Sequence, residues 1–252
     1  VTPTQNTEAN GYGNSGKDKD PLLALWAQFY GLEYFPTYKE VCENPGSRFH
    51  KIEPWAGERN VEDPQFLDTF VYVERIRLVV VPFLIKASQA AGEGGSHVRV
   101  KGLGLGCWQV DPVQEALMLE VYADALLSIP LPGIKVLEFV WFPSAESLRG
   151  VGHGGPFLAH GGKSIEIRFT KNGFASPIAS SSGDDAVGVA PRLIAMYAWD
   201  GNAYPGNEWW FGKLGSTDDS AAASCSLISS LQNPDINSEN LCGDVVQVLT
   251  SS

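Results

Sequence analysis

The chain has 252 residues, 44% of them apolar, and a formal net charge of −11. That length suits one large α/β domain or a domain with a short appendage, and the apolar share is enough to bury a core. No cluster of Lys and Arg interrupts the acidity, which argues against a nucleic-acid-binding face. Four cysteines, Cys42, Cys107, Cys225 and Cys242, show neither zinc spacing nor a disulfide framework, and point to a reducing, cytoplasmic setting. A pairing of Cys225 with Cys242 stays open. Pro82 interrupts the longest apolar stretch, so no membrane span is expected. No signal peptide is visible, and without Met at position 1 the chain reads as a piece of a longer protein.

Residues 1–20 are polar and rich in Gly and Asn, and are expected to be disordered or a loosely docked arm. Asp20-Pro21 supplies an N-cap and a proline at the first helical position. Leu22, Leu25, Trp26, Phe29 and Tyr30 follow at helical spacing. Residues 31–62 are rich in Pro, Gly and aromatics and predict irregular structure with a short helix near Tyr38–Cys42. About 21–62 therefore form an N-terminal helical extension. Asp63-Pro64 repeats the cap-plus-proline signal, and Phe66, Leu67, Phe70 and Val71 predict one long helix kinked at Pro82. A strand over Arg77–Val81 is the competing reading.

His97–Lys101 alternates like a strand and runs into Gly102-Leu103-Gly104-Leu105-Gly106. Asp111-Pro112-Val113-Gln114 resembles a capping box and opens a helix to about Leu127. Ile134–Phe142, Ser164–Thr170 and Arg192–Trp199 predict three further strands. A last helix is expected over Asp218–Leu231, with a short strand at Val245–Leu249. Strands alternating with helices predict an α/β fold with a mixed or mostly parallel sheet.

Three segments carry possible chemistry. Lys101–Trp108, between a strand and a helix, has glycines that let backbone N–H groups approach a phosphate, although a plain tight connection fits equally well. Arg149–Gly162 holds six glycines with His153 and His160, and reads as a loop that closes over a ligand. Its histidines lack nearby ligand partners and are expected to be exposed loop residues. The third segment gathers Asp200, Glu208, Asp218 and Asp219 on a strand end, a loop and a helix start. Paired carboxylates in different environments can take opposite protonation states, as acid–base cleavage of a glycosidic bond requires. They could equally hold Mg²⁺. Asp219 is also explained as a helix cap, and Asp200-Gly201-Asn202 as a turn. Trp209, Trp210 and Phe211 on a polar loop suggest a stacking surface, with core anchoring as the other reading.

The motifs GLGLGCW (Gly102–Trp108), YAWDGNAYPGNEWW (Tyr197–Trp210) and GSTDDSAAASCSLISSLQNPDIN (Gly215–Asn237) stand in order along the chain. In them the sequence resembles the atypical macrodomain ADP-ribosylhydrolases typified by the Legionella effector MavL. The resemblance implies a macrodomain-like three-layer α/β/α sandwich with a mixed central sheet, and residues 21–252 as a single catalytic domain. It implies an enzyme that removes mono-ADP-ribose from a protein side chain, arginine first, with ubiquitin among the candidate substrates. Asp200, Glu208 and Asp218 would be catalytic, with Asn202, Asn207 and Trp209 binding ligand. The diphosphate would rest on Gly104, Leu105 and Gly106 or on the loop at Gly154, and adenine would stack on an aromatic such as Trp108. The paired glutamates of poly(ADP-ribose) glycohydrolases are missing, Gln114-Glu115 being a faint echo. No cofactor is required on this reading, Mg²⁺ being the alternative. A monomer is expected, cytoplasmic or a secreted effector. A module that binds ADP-ribose without cleaving it is the runner-up.

Overall fold

A computed structural model describes residues 1–53, 63–106, 109–173, 176–178 and 189–196. The chain divides into two compact units, Val1–Val81 with Gly104–Ala125, and Pro82–Leu103 with the residues from Leu126 on.

In the first unit, residues 1–20 are attached rather than loose. The Val1 ammonium donates to the Phe66 carbonyl at 2.6 Å, Tyr38 N–H to the Asn6 carbonyl, and Gly13 N–H to the Phe35 carbonyl. Backbone groups make these links, so a composition poor in apolar side chains does not reveal them. Asp20 then caps α1 (Pro21–Phe29), its carboxylate accepting from Leu22 N–H and Leu23 N–H. A full capping box formed by Thr37 and Glu40 starts α2 (Tyr38–Glu43). The short strands β1 (Phe49–Lys51) and β2 (Phe66–Asp68) pair antiparallel.

The long helix starts later than its sequence suggests, as α3 (Thr69–Gln89). Phe66 and Leu67 fit a helical period, but their backbone is spent on the pairing with β1. Arg48 grips Asp68 through two bonds, at 2.9 and 2.5 Å, and Asp68 also accepts from Val71 N–H at the helix start. The helix continues through Pro82, which cannot donate to the Leu78 carbonyl. Leu78 is exposed, so water can serve that carbonyl instead. The strand alternative over Arg77–Val81 is not what forms. In α4 (Val113–Ser128), Asp111 accepts from Val113 N–H at 2.8 Å, and the Gln114 side chain accepts from Asp111 N–H at 3.0 Å.

The second unit is built on a five-stranded sheet. Its strands are β3 (Ser96–Lys101), β4 (Ile134–Val140), β7 (Gly155–Leu158), β8 (Ser164–Thr170) and β9 (Arg192–Ala195), in the order β7-β8-β4-β3-β9. The last four run parallel and β7 is antiparallel at the edge, so the sheet is mixed, as expected. The small hairpin β5 (Ser147–Leu148) and β6 (Val151–Gly152) precedes β7. Gly133 admits the close approach of the Ser88 carbonyl, which a Cβ would strike. Strand β4 stops two residues before Phe142, and β9 is described as far as Ala195. The helix expected over 218–231 and the strand over 245–249 lie outside the described residues. Among the described residues, no helix is long and apolar enough to cross a membrane.

Candidate functional site

The parallel strands β3, β4, β8 and β9 all point one way, so their carboxyl ends share one edge of the sheet. Open α/β sheets bind ligands beyond that edge. In the second unit a cavity of about 280 Å³ lies beyond β4 and β8. Phe139, Phe142 and Phe169 give it an aromatic lining, and Ser144, Glu146, Thr170 and Lys171 a polar one. The rings interlock: Phe139 stacks on Phe169 at 5.0 Å and meets Phe142 edge-on at 5.1 Å.

A charged cluster lies in the sheet beside this cavity. Glu138 on β4 is 1% exposed, as are His97 and Arg99 on β3. One carboxylate oxygen of Glu138 accepts from His97 Nε2 at 2.6 Å and Arg99 Nε at 2.7 Å. The other accepts from Thr170 Oγ1 at 2.6 Å and Asn172 Nδ2 at 3.1 Å. Burial by itself would raise the Glu138 carboxyl, but bonds from His97, Thr170, Arg99 and Asn172 outweigh it and hold the group far below the usual range. His97 Nδ1 is buried and has no hydrogen-bond partner among the described residues. Arg99 spends its outer nitrogens on the connection after β8, donating to the Ser176 carbonyl at 2.5 Å and the Pro177 carbonyl at 3.4 Å. Two of the cavity's polar groups thus stand on a segment fixed from beneath by a buried ion pair.

The residues expected from sequence fall unevenly. Gly104, Leu105 and Gly106 belong to the first unit. Gly104 has a φ of 71°, a left-handed turn that suits glycine, and Leu105 is buried. Gly154, in the second unit, donates its N–H to the Ile167 carbonyl at 2.7 Å, so that donor is already used. The expected closing loop over 149–162 instead supplies the short strand β6 and the edge strand β7, the latter pinned to β8. His153 and His160 are exposed, as expected. Trp108, Asp200, Asn202, Asn207, Glu208, Trp209 and Asp218 lie outside the described residues, as do Asp219, Trp210, Phe211, Cys107, Cys225 and Cys242. Cys42 is free and exposed. Among the described residues no group of three or more His, Cys, Asp and Glu is placed to hold a metal.

Sequence reasoning passed over Glu138, Thr170 and Asn172. The available signal was a glutamate between Leu137 and Phe139 in an apolar strand, since a carboxylate there needs partners.

Across its whole length, residues 1–252, the chain matches the model of the MavL-like ADP-ribosylhydrolases. It belongs to that family. Two Drosophila melanogaster proteins described as ADP-ribosylarginine hydrolases are similar to it. One is 34% identical over 253 residues, which cover 94% of this chain and 45% of that protein. The other is 28% identical over 251 residues, covering 95% and 46%. The chain thus spans about half the length of these relatives. A human 1-phosphatidylinositol 4,5-bisphosphate phosphodiesterase beta-2 is 29% identical over 189 residues, 72% of this chain and 14% of that protein. The mixed sheet is the macrodomain-like α/β architecture that the family resemblance implies.

Proposed function

We propose that this chain hydrolyses the bond between ADP-ribose and an arginine side chain of a modified protein. Membership of the family along the full chain carries this reading, and the activity named for both fly relatives specifies arginine. Ubiquitin is the candidate substrate, and the enzyme acts as a monomer in the cytoplasm or as a secreted effector.

The chemistry follows from the bond. Water attacks the anomeric carbon of the distal ribose, the carbon–nitrogen bond breaks through an oxocarbenium-like transition state, and free ADP-ribose and arginine result. A guanidine leaves well only as a protonated group. Asp218 is assigned to the guanidinium, which a carboxylate can hold bidentately while the leaving nitrogen keeps or gains its proton. Asp200 or Glu208 accepts the proton of the attacking water and orients the ribose hydroxyls, helped by Asn202. Asn207, Trp209 and Trp108 contact the ligand, and the glycines at Gly104 and Gly106, with Leu105 between them, offer backbone donors to the diphosphate. An acidic chain gains little from long-range attraction to an anion, so local donors must do this.

No metal is needed in this scheme, and Mg²⁺ on the same carboxylates is the competing version. Incubating the protein with arginine-ADP-ribosylated protein, with and without EDTA, separates the readings. Release of free ADP-ribose in both conditions supports the metal-free hydrolase. Release abolished by EDTA favours the Mg²⁺ version, and binding without release leaves a reader module.

A further inference from the structure

Trp141, the residue after β4, is not explained by packing of the sheet. Its φ is 58°, in the left-handed region that a bulky side chain adopts only at a cost. Nor does burial compensate, since Trp141 is 52% exposed while Val140 and Phe142 on either side are buried. It is nevertheless firmly placed. Its backbone N–H donates to the Thr170 carbonyl at 2.9 Å, and its indole Nε1–H to the Asn172 carbonyl at 3.2 Å. Asn172 is itself held through Nδ2 by the buried Glu138 carboxylate at 3.1 Å. A chain of bonds thus runs from the interior to an indole kept in solvent on a strained backbone. Strain of this kind persists only where the surroundings enforce it, and it gathers at ligand sites.

We propose that the exposed face of Trp141 is the platform on which the nucleobase of ADP-ribose stacks, an inference that rests on the ADP-ribose reading above. The indole stands at the carboxyl edge of the sheet, where its chain neighbour Phe142 and its bond partner Thr170 line the cavity together with Lys171. Lys171, next to the anchoring Asn172, is exposed and cationic. Lys171 can meet a phosphate next to such a base, and although Glu146 on the same lining carries the opposite charge, it is Lys171 that adjoins the anchor of the indole, which assigns the ring to the nucleotide end of the ligand. A large flat ring with its rotamer fixed loses little entropy on binding a base. The pairing is sequence-legible in neither half, because it depends on the backbone turn at the strand end.

The test titrates ADP-ribose, which contains no arginine, into the full chain and into Trp141→Ala, Trp141→Gly and Trp141→Phe, with melting temperatures measured alongside. Base–aromatic stacking predicts affinity lowered roughly 10- to 100-fold in the alanine and glycine variants. The phenylalanine variant keeps a ring and should bind within about threefold of the unaltered protein. Glycine relieves the left-handed strain, so Trp141→Gly should melt no lower than the parent while binding poorly. If the parent binds and Trp141→Ala binds as well, the indole is not the platform. Equal losses in the phenylalanine and alanine variants would also overturn it, as would melting temperatures that fall in step with affinity. No binding by the parent would instead bring down the ADP-ribose reading, and this inference with it.

Discussion

On one face of the five-stranded sheet, Val98, Val100, Leu137, Phe139, Ile165 and Ile167 are all fully buried. On the other, the alternate positions bury His97, Arg99 and Glu138, with Arg168 aligned next to Glu138 and paired with Glu166 at 2.6 Å. The apolar face is non-directional and tolerates any side chains of suitable volume. The charged face is directional. Each of its bonds names a partner, and those partners, Thr170, Asn172, Ser176 and Pro177, belong to the end of β8 and the segment after it. The first face supplies burial; the second determines where the strand-end segment beside the cavity lies.

Removing the carboxylate should break this contrast most severely. Glu138→Ala takes the carboxylate away from the buried Arg99 and His97 and should cost about 3–5 kcal/mol, read from denaturant unfolding. On the apolar face, Leu137→Ala should cost about 2–5 kcal/mol by the same measurement, through lost burial and the cavity left behind. Replacing both charged partners tests whether the charged face stabilises or only specifies. The double variant Arg99→Met with Glu138→Leu should lose distinctly less than the sum of the two single changes, because neither charge is stranded. Matching sums would mean the two groups act independently.

Acid gives a gentler probe. The folded-state Glu138 carboxyl is held far below its ordinary value, so its stabilising contribution is complete above the unfolded value of about 4.3 and is lost as pH falls below it. The melting temperature of the parent should therefore fall more steeply than that of Glu138→Gln between about pH 5 and about pH 3. Parallel curves would remove Glu138 from the acid response. The smallest effect is expected in the first unit, where Asp20→Ala removes a half-buried helix cap and should cost about 1 kcal/mol.

The same contrast explains what could be read from the chain beforehand. SIEIRFT at Ser164–Thr170 alternates visibly and forms β8 over those residues. The helix behind Asp20-Pro21 and the one behind Asp111-Pro112 announce themselves through local capping chemistry, which needs only neighbours in sequence. The charged cluster needs residues about forty positions apart: His97 and Glu138 are separated by 41. No local pattern encodes that meeting. Phe66–Asp68 was open to misreading for the same reason, since its strand partner lies at Phe49–Lys51. Trp141 sits within an apolar run and looks like core, and only the structure, through its positive φ and its 52% exposure, shows that it is turned outward. The carboxylates assigned to catalysis rest on motifs that place the chain in its family, and their geometry lies outside the described residues.

The most direct test of the account is single-turnover release of ADP-ribose from an arginine-modified protein by the parent and by Asp200→Ala, Glu208→Ala and Asp218→Ala, with ADP-ribose binding measured in parallel. Release by the parent is expected, with a loss of roughly 10²- to 10⁴-fold in at least one variant that still binds ADP-ribose. Full release by all three variants would contradict the site, and no release by a parent that binds ADP-ribose would contradict the hydrolase.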